Sequence, residues 1–194
     1  STDNVYFDSN SGFTSSSKKL TLNTTGECKN ITFLGNTVAP EFIESGSQSL
    51  NIYGSSVWQS GMKVEISKIY YKNTNTAKTI RSNGVTTGKI NGSVNFEEDT
   101  TIDLLDDLII GNTLSLNAGT FNTKNNTVTI GFQFTTAGNT QKTINLGSSN
   151  IYMNGVNSSF RTNSSYVTLN AGSSHIYFTG NLTNLSANDT YGIV

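Results

Sequence analysis

Gly147-Ser148-Ser149-Asn150-Ile151-Tyr152 and Gly172-Ser173-Ser174-His175-Ile176-Tyr177 repeat one another about 25 residues apart. Each opens on a glycine turn and closes on an Ile-Tyr pair whose side chains, in a strand, point to opposite faces. Related turns follow other short β-rich runs: Leu22-Asn23-Thr24-Thr25-Gly26, Leu50-Asn51-Ile52-Tyr53-Gly54, Leu116-Asn117-Ala118-Gly119, Ile144-Asn145-Leu146-Gly147 and Leu169-Asn170-Ala171-Gly172. The steps from Gly26 to Gly54 and from Gly119 to Gly147 are each about 28 residues. Steps of this length fit one coil of a parallel β-helix, three short strands joined by turns. A β-sandwich instead shows turn signals every 8 to 12 residues or so, without a longer repeat. The reading is an all-β, right-handed parallel β-helix (solenoid), with residues 1–194 as one domain.

The rest of the chain agrees. Lys19-Leu20-Thr21-Leu22, Val128-Thr129-Ile130 with Phe132 and Phe134, and Val167-Thr168-Leu169 alternate apolar and polar, which places Leu116, Leu146 and Leu169 among the expected interior residues. Residues 97–110, EEDTTIDLLDDLII, fit either an amphipathic helix (Ile102, Leu105, Ile109) or strands (Ile102, Leu104, Leu108, Ile110). The strand reading is preferred, because a stack of coils takes in another strand more easily than an isolated helix. Asn, Thr and Ser supply about four-tenths of the 194 residues, with 18 Gly and one Pro, and good helix formers are scarce. Stacked coils let Asn and Thr hydrogen-bond to their counterparts above and below, so this richness reads first as structural.

Charge excludes several functions. The formal net charge is -1 with only 13% charged residues and no basic stripe, so a nucleic-acid partner is not expected. No apolar run approaches the roughly 18 residues of a membrane-spanning helix, so no membrane insertion is expected. The lone Cys28 reads as a buried or half-buried structural thiol. From Leu108 onward the only formally charged side chains are Lys124, Lys142, Arg161 and Asp189, so a glycosidase pair of carboxylates would have to come from the first half.

The one constellation that calls for a test is Glu97, Glu98, Asp99, Asp103, Asp106 and Asp107. Calcium takes six to eight or so oxygen ligands, yet the spacing matches no EF-hand loop or glycine-rich metal repeat, and a solvated acidic face is the simpler reading. A β-helical lyase would need Lys89 or Arg81 brought beside these acids by the fold. His175, the sole histidine, stands where the sister hexapeptide has Asn150, which marks a turn or surface position and not a general base. Asn23, Asn30, Asn91, Asn157 and Asn181 head glycosylation sequons of the kind this composition produces by chance. Trp58 and the tyrosines divide between sugar-stacking platforms and packing, and the phenylalanines read as core. No catalytic, metal or cofactor residue is assigned, and no ligand-binding residue stands out.

Several of these segments carry a resemblance. Asn4-Val5-Tyr6-Phe7-Asp8, Cys28, Pro40, Leu50-Asn51-Ile52-Tyr53-Gly54-Ser55, Leu116-Asn117-Ala118-Gly119-Thr120-Phe121 and Leu169-Asn170-Ala171-Gly172-Ser173-Ser174-His175-Ile176-Tyr177-Phe178-Thr179-Gly180 resemble a repeat of very large surface proteins of gliding Bacteroidetes bacteria. The resemblance implies a right-handed parallel β-helix, export by the type IX secretion route, and service in a secreted or cell-surface adhesin tied to gliding motility. It carries over no catalytic residue. The chain starts without Met or signal peptide, and Tyr191-Gly192-Ile193-Val194 forms an apolar, uncapped ending, so a segment of a longer repeat protein is expected. The expected function is a non-enzymatic structural or adhesive module, with neighbouring repeats, surface glycans and the secretion machinery as partners. The alternatives are a carbohydrate-active β-helix enzyme, lyase or hydrolase, and a phage tail fibre or tailspike segment.

Overall fold

In a computed structural model that describes residues 3–72, 76–90, 92–97, 99–162, 164–180 and 182–186, the chain is a parallel β-solenoid. The first coil is β1 (Val5–Phe7), β2 (Lys19–Leu22) and β3 (Gly26–Cys28), and the second is β4 (Ile31–Phe33), β5 (Glu41–Glu44) and β6 (Ser49–Ile52). Next come β7 (Ser56–Val57), β8 (Lys63–Glu65) and β9 (Lys68–Tyr71), then β10 (Lys78–Arg81), β11 (Thr86–Thr87) and β12 (Ser93–Phe96). The fifth coil holds β13 (Thr101–Leu104), β14 (Leu108–Ile110) and β15 (Thr113–Leu116), and the sixth β16 (Gly119–Asn122), β17 (Val128–Ile130) and β18 (Gln133–Thr136). The last two are β19 (Lys142–Asn145), β20 (Asn150–Met153) and β21 (Ser158–Arg161), then β22 (Val167–Asn170), β23 (His175–Phe178) and β24 (Leu182–Ser186).

Strands stack in parallel with their counterparts one coil away, giving two eight-stranded faces and therefore seven coil-to-coil steps. The first face runs from β1 to β22 and the third from β3 to β24. The second face is divided into a three-stranded sheet, β2-β5-β8, and a five-stranded sheet, β11-β14-β17-β20-β23. A 3-10 turn at Ser164–Tyr166 is the only helical element among the described residues.

The alternation decides what is inside. On the third face Leu50, Ile69, Val94, Leu114, Phe134 and Phe160 stack in register, all buried. The segment at 97–110 is two strands, and Ile102, Leu104, Leu108 and Ile110 are all buried while Leu105 is exposed, as the strand reading requires. Leu116 and Leu146 are core residues; Leu169 is only half-buried at the last coil. Gly172 stacks directly on Gly147, with Ser173 N donating to Gly147 O at 2.8 Å, one coil apart.

The two longer glycine steps are not coil repeats, however. Gly26 aligns with Leu50 and Gly119 with Lys142, because the coil length varies from 19 residues (Asp103 to Asn122) to 26 (Asn4 to Asn30). Leu116-Asn117 lies at the end of a third-face strand and Leu169-Asn170 on the first face, so the shared motif marks strand ends on different faces.

A polar column on the outside of the first face ties the coils together. Asn30 Nδ2 donates to Asn4 Oδ1 at 2.7 Å, Ser55 N to Asn30 Oδ1 at 2.6 Å, and Thr79 N to Ser55 Oγ at 2.9 Å. The column continues through Asp103, which accepts from Asn122 Nδ2; Asn122 accepts from Asn145, and Asn145 from Asn170 at 2.6 Å. Each amide both donates and accepts, so a stack of them satisfies itself without like-charge repulsion. Two lysines, Lys78 and Lys142, lie inside instead of on the surface. Lys142 Nζ donates to the carbonyls of Gly138 and Thr140, at 3.2 and 2.6 Å, and burial lowers its pKa.

Candidate functional site

The interruption of the second face makes a concavity on the outside of the solenoid. β8 pairs with β5 and β11 with β14, but β8 and β11 share no ladder, so their facing edges carry backbone N–H and C=O groups without strand partners. The stack closes again just beyond, where Lys89 N donates to Ile66 O at 3.1 Å and Ser93 N to Ser67 O at 2.7 Å. β11 is only two residues long and stands between Gly84 and Gly88, both with positive φ (76° and 83°), a conformation side chains oppose. A cleft of about 500 Å³ opens there, with Val64, Val85 and Ile110 on its inner side and Lys63, Glu65, Thr86, Ile109 and Thr129 from outward positions.

The cleft follows a corner built from glycine. Gly88, Gly111 and Gly131 line it, and the row continues through Gly155 to Gly180. A Cβ on Gly131 would lie 2.1 Å from Gly111 O, on Gly155 2.0 Å from Gly131 O, and on Gly180 2.1 Å from Gly155 O, so only glycine lets these backbones stack this closely. Outward residues of the five-stranded sheet form one row in register: Thr86, Ile109, Thr129, Tyr152, Tyr177. Tyr152 and Tyr177 are half-buried, with ring centroids 4.9 Å apart and planes 15° from parallel. The charged side chains lining the cleft are Lys63 and Glu65, paired with each other at 3.4 Å. Thr87, fully buried beside this corner, has a hydroxyl without a hydrogen-bond partner among the described residues.

The acidic cluster does not converge. Glu97 Oε1 accepts from Asn117 Nδ2 at 2.8 Å, and Asp103 pairs with Lys124 at 3.2 Å. Asp106 accepts from the N–H groups of Ser82 and Asn83, each at 2.7 Å, and Asp107 from Thr127 N at 2.7 Å. Asp99 is exposed, and Glu98 lies outside the described residues. These carboxylates bind turns of neighbouring coils, and no three His, Cys, Asp or Glu side chains meet in a metal-binding group among the described residues. Neither Arg81 nor Lys89 pairs with the cluster's acids among the described residues. Lys89 instead meets Glu44 at 3.5 Å. Burial raises the Glu44 carboxyl, but the Ser67 hydroxyl and N–H, with Lys89, hold it below its ordinary value.

His175 is exposed and aligns with Asn150, as the hexapeptide comparison requires. Trp58 is fully buried, 5.8 Å from Phe33 between centroids, so it is core and not a sugar platform. Tyr71 is also inside, its hydroxyl 2.6 Å from Ser56 Oγ, and most phenylalanines are core, with Phe132 exposed. Asn23 and Asn157 are exposed, and Asn30 is engaged in the polar column; Asn91, Asn181 and the ending 191–194 lie outside the described residues.

Cys28 is buried, its Sγ 3.9 Å from Asn51 O, and burial pushes the thiol from 9.0 up to about 11. The unfolded chain ionises first, so the stability from keeping this thiol neutral is complete below pH 9 and is lost as pH rises towards 11. The urea midpoint of the wild type should therefore fall across that window, and that of Cys28→Ala should fall less. Burial also raises the Tyr71 phenol, which supplies a residual drop in both proteins. Coinciding pH curves would mean that the Cys28 thiol is not shielded.

The fold and cleft together define a class, a parallel β-solenoid with a longitudinal groove over one interrupted face. No family model, curated protein or solved structure matches the chain. No helix among the described residues is long and apolar enough to cross a membrane. The row of glycines at 88, 111, 131, 155 and 180 was present in the sequence as a second glycine periodicity, one per coil, but the Leu-Asn motif drew the register elsewhere.

Proposed function

We propose that the chain is a non-enzymatic structural and adhesive module of a secreted, cell-surface protein, holding a stiff solenoid outward and gripping glycans along its second face. The observation that carries this reading is the cleft at the β8/β11 interruption running in register onto the stacked Tyr152 and Tyr177. Tyr152 and Tyr177 cover each other's facing ring faces and leave ring edges towards the surface, an apolar strip beside polar neighbours that suits the C–H patches and hydroxyls of a sugar chain. The two hydrogen-bonded runs of the polar column, Asn4 to Thr79 and Asp103 to Asn170, support the mechanical part, because load along the axis is shared by bonds between successive coils. In this reading the partners are neighbouring repeats of a parent protein, surface glycans and the type IX secretion machinery that the sequence resemblance implies.

The test is retention of polysaccharide-coated beads on a surface carrying the protein. The wild type should hold at least one glycan coating, and a Tyr152→Ala/Tyr177→Ala double variant should release it. The same glycans incubated with the protein, with and without calcium, should yield no new reducing ends or unsaturated products. Turnover abolished by Asp103→Asn or Asp107→Asn would replace the adhesive reading with the carbohydrate-active enzyme, and a stable trimer in sedimentation would favour the tail-fibre alternative.

A further inference from the structure

We infer that the ligand of the second face is an electrically neutral glycan lying along the solenoid axis, its hydroxyls on the open backbone edges of β8 and β11 and its C–H patches against the ring edges of Tyr152 and Tyr177. This inference rests on the glycan-binding reading and specifies its substrate class and pose.

Charge selects the class. Lys63 and Glu65 already neutralise each other at the mouth of the cleft, and the row onward from it, Ile109, Thr129, Tyr152 and Tyr177, carries no formal charge. An anionic polymer would lose water from its carboxylates or sulfates here and gain no cation free of a carboxylate partner among the described lining residues. A neutral polyhydroxyl chain has the opposite balance. The facing edges of β8 and β11 offer backbone donors and acceptors that no strand uses. Hydroxyls, which both donate and accept, match such a mixed set. Gly88, Gly111 and Gly131 line the cleft with no side chain to keep a polymer away.

Length and direction follow from register. From β8 to β23 the face spans five coil steps, roughly 24 Å at the usual strand spacing, so a ligand touching both the open edges and Tyr177 must be several sugars long. A monosaccharide reaches only one part of the site. Peptide insertion as an added strand is disfavoured, because the stack closes beside the cleft through Lys89 N to Ile66 O.

The experiment is calorimetric titration of the whole chain with cello-, xylo-, manno- and laminari-oligosaccharides of one to six units, and with oligogalacturonates and alginate oligomers of the same lengths. At least one neutral series should bind, with affinity rising more than about tenfold from monomer to hexamer and unchanged by salt. Tyr177→Ala should weaken the hexamer about tenfold while leaving the weak dimer binding unaltered. Preferential binding of the anionic oligomers, or affinity that falls with salt, would overturn the neutral class while leaving glycan adhesion standing. Neutral binding that is insensitive to both Tyr177→Ala and Thr129→Arg would overturn the pose. Failure of every oligomer, and of the corresponding polymers on beads, would remove the glycan reading and this inference together.

Discussion

Gly131→Ala should destabilise the protein by about 3 kcal/mol, the upper end of what overpacking a well-packed site costs. The new methyl would meet Gly111 O at 2.1 Å and Gly111 C at 2.8 Å, and both are backbone atoms held in the coil above. No rotamer relieves that contact, so the coils must separate. Gly155, whose own Cβ position is 2.0 Å from Gly131 O, would be displaced in turn. Gly138→Ala is the control: its φ of 72° opposes a side chain, but nothing lies within 4 Å, so about 1 kcal/mol is expected. Denaturant unfolding of the two variants measures the difference. If Gly131→Ala cost no more than Gly138→Ala, the close glycine stack beneath the cleft would not exist.

Leu116→Ala should lower stability by about 2 to 5 kcal/mol, the range for a fully buried leucine. Leu116 is 0% exposed and stands in register between Phe96 above and Thr136 below, so its removal leaves a void that neither neighbouring coil can fill without moving. Leu146→Ala belongs to the same range, Leu169→Ala to a smaller one because Leu169 is half-buried, and outward Thr168→Ala should stay within about 0.5 kcal/mol. Because a solenoid coil touches only its neighbours, hydrogen exchange should quicken first in the coils of β12, β15 and β18. Uniform loosening along all coils would contradict that near-neighbour account, and an unchanged Leu116→Ala would mean the interior register is wrong.

Both expectations separate what was legible beforehand from what was not. The inward row Ile102, Leu104, Leu108, Ile110 could be read directly, because alternation in a strand is a local property that assigns each side chain to one face. The pairing of Gly147 with Gly172 was legible for a related reason: the hexapeptides repeat closely enough to fix their own register, and His175 and Asn150 fell opposite each other as a consequence. The steps from Gly26 to Gly54 and from Gly119 to Gly147 misled, since similar turns end strands on different faces and the coil length is not constant.

The site lay beyond that reach. Six acids close in sequence looked like one constellation, yet Asp103, Asp106 and Asp107 meet partners in three different turns or strands, Asn122, Ser82-Asn83 and Thr127, each about one coil away. Trp58 fits packing and a sugar platform equally in the sequence, and only its contact with Phe33, one coil away, decides for the core; nothing local announces that Lys78 and Lys142 are buried. The sequence by itself determined the all-β class, the parallel coil and the inward rows, because these follow from local periodicity. The tertiary structure alone decided which coils meet, where the second face breaks between β8 and β11, and that Tyr152 and Tyr177 stack beyond the break. In a solenoid every contact that makes a site joins residues a full coil apart, and the varying length of each coil sets that register only when all of them are packed together.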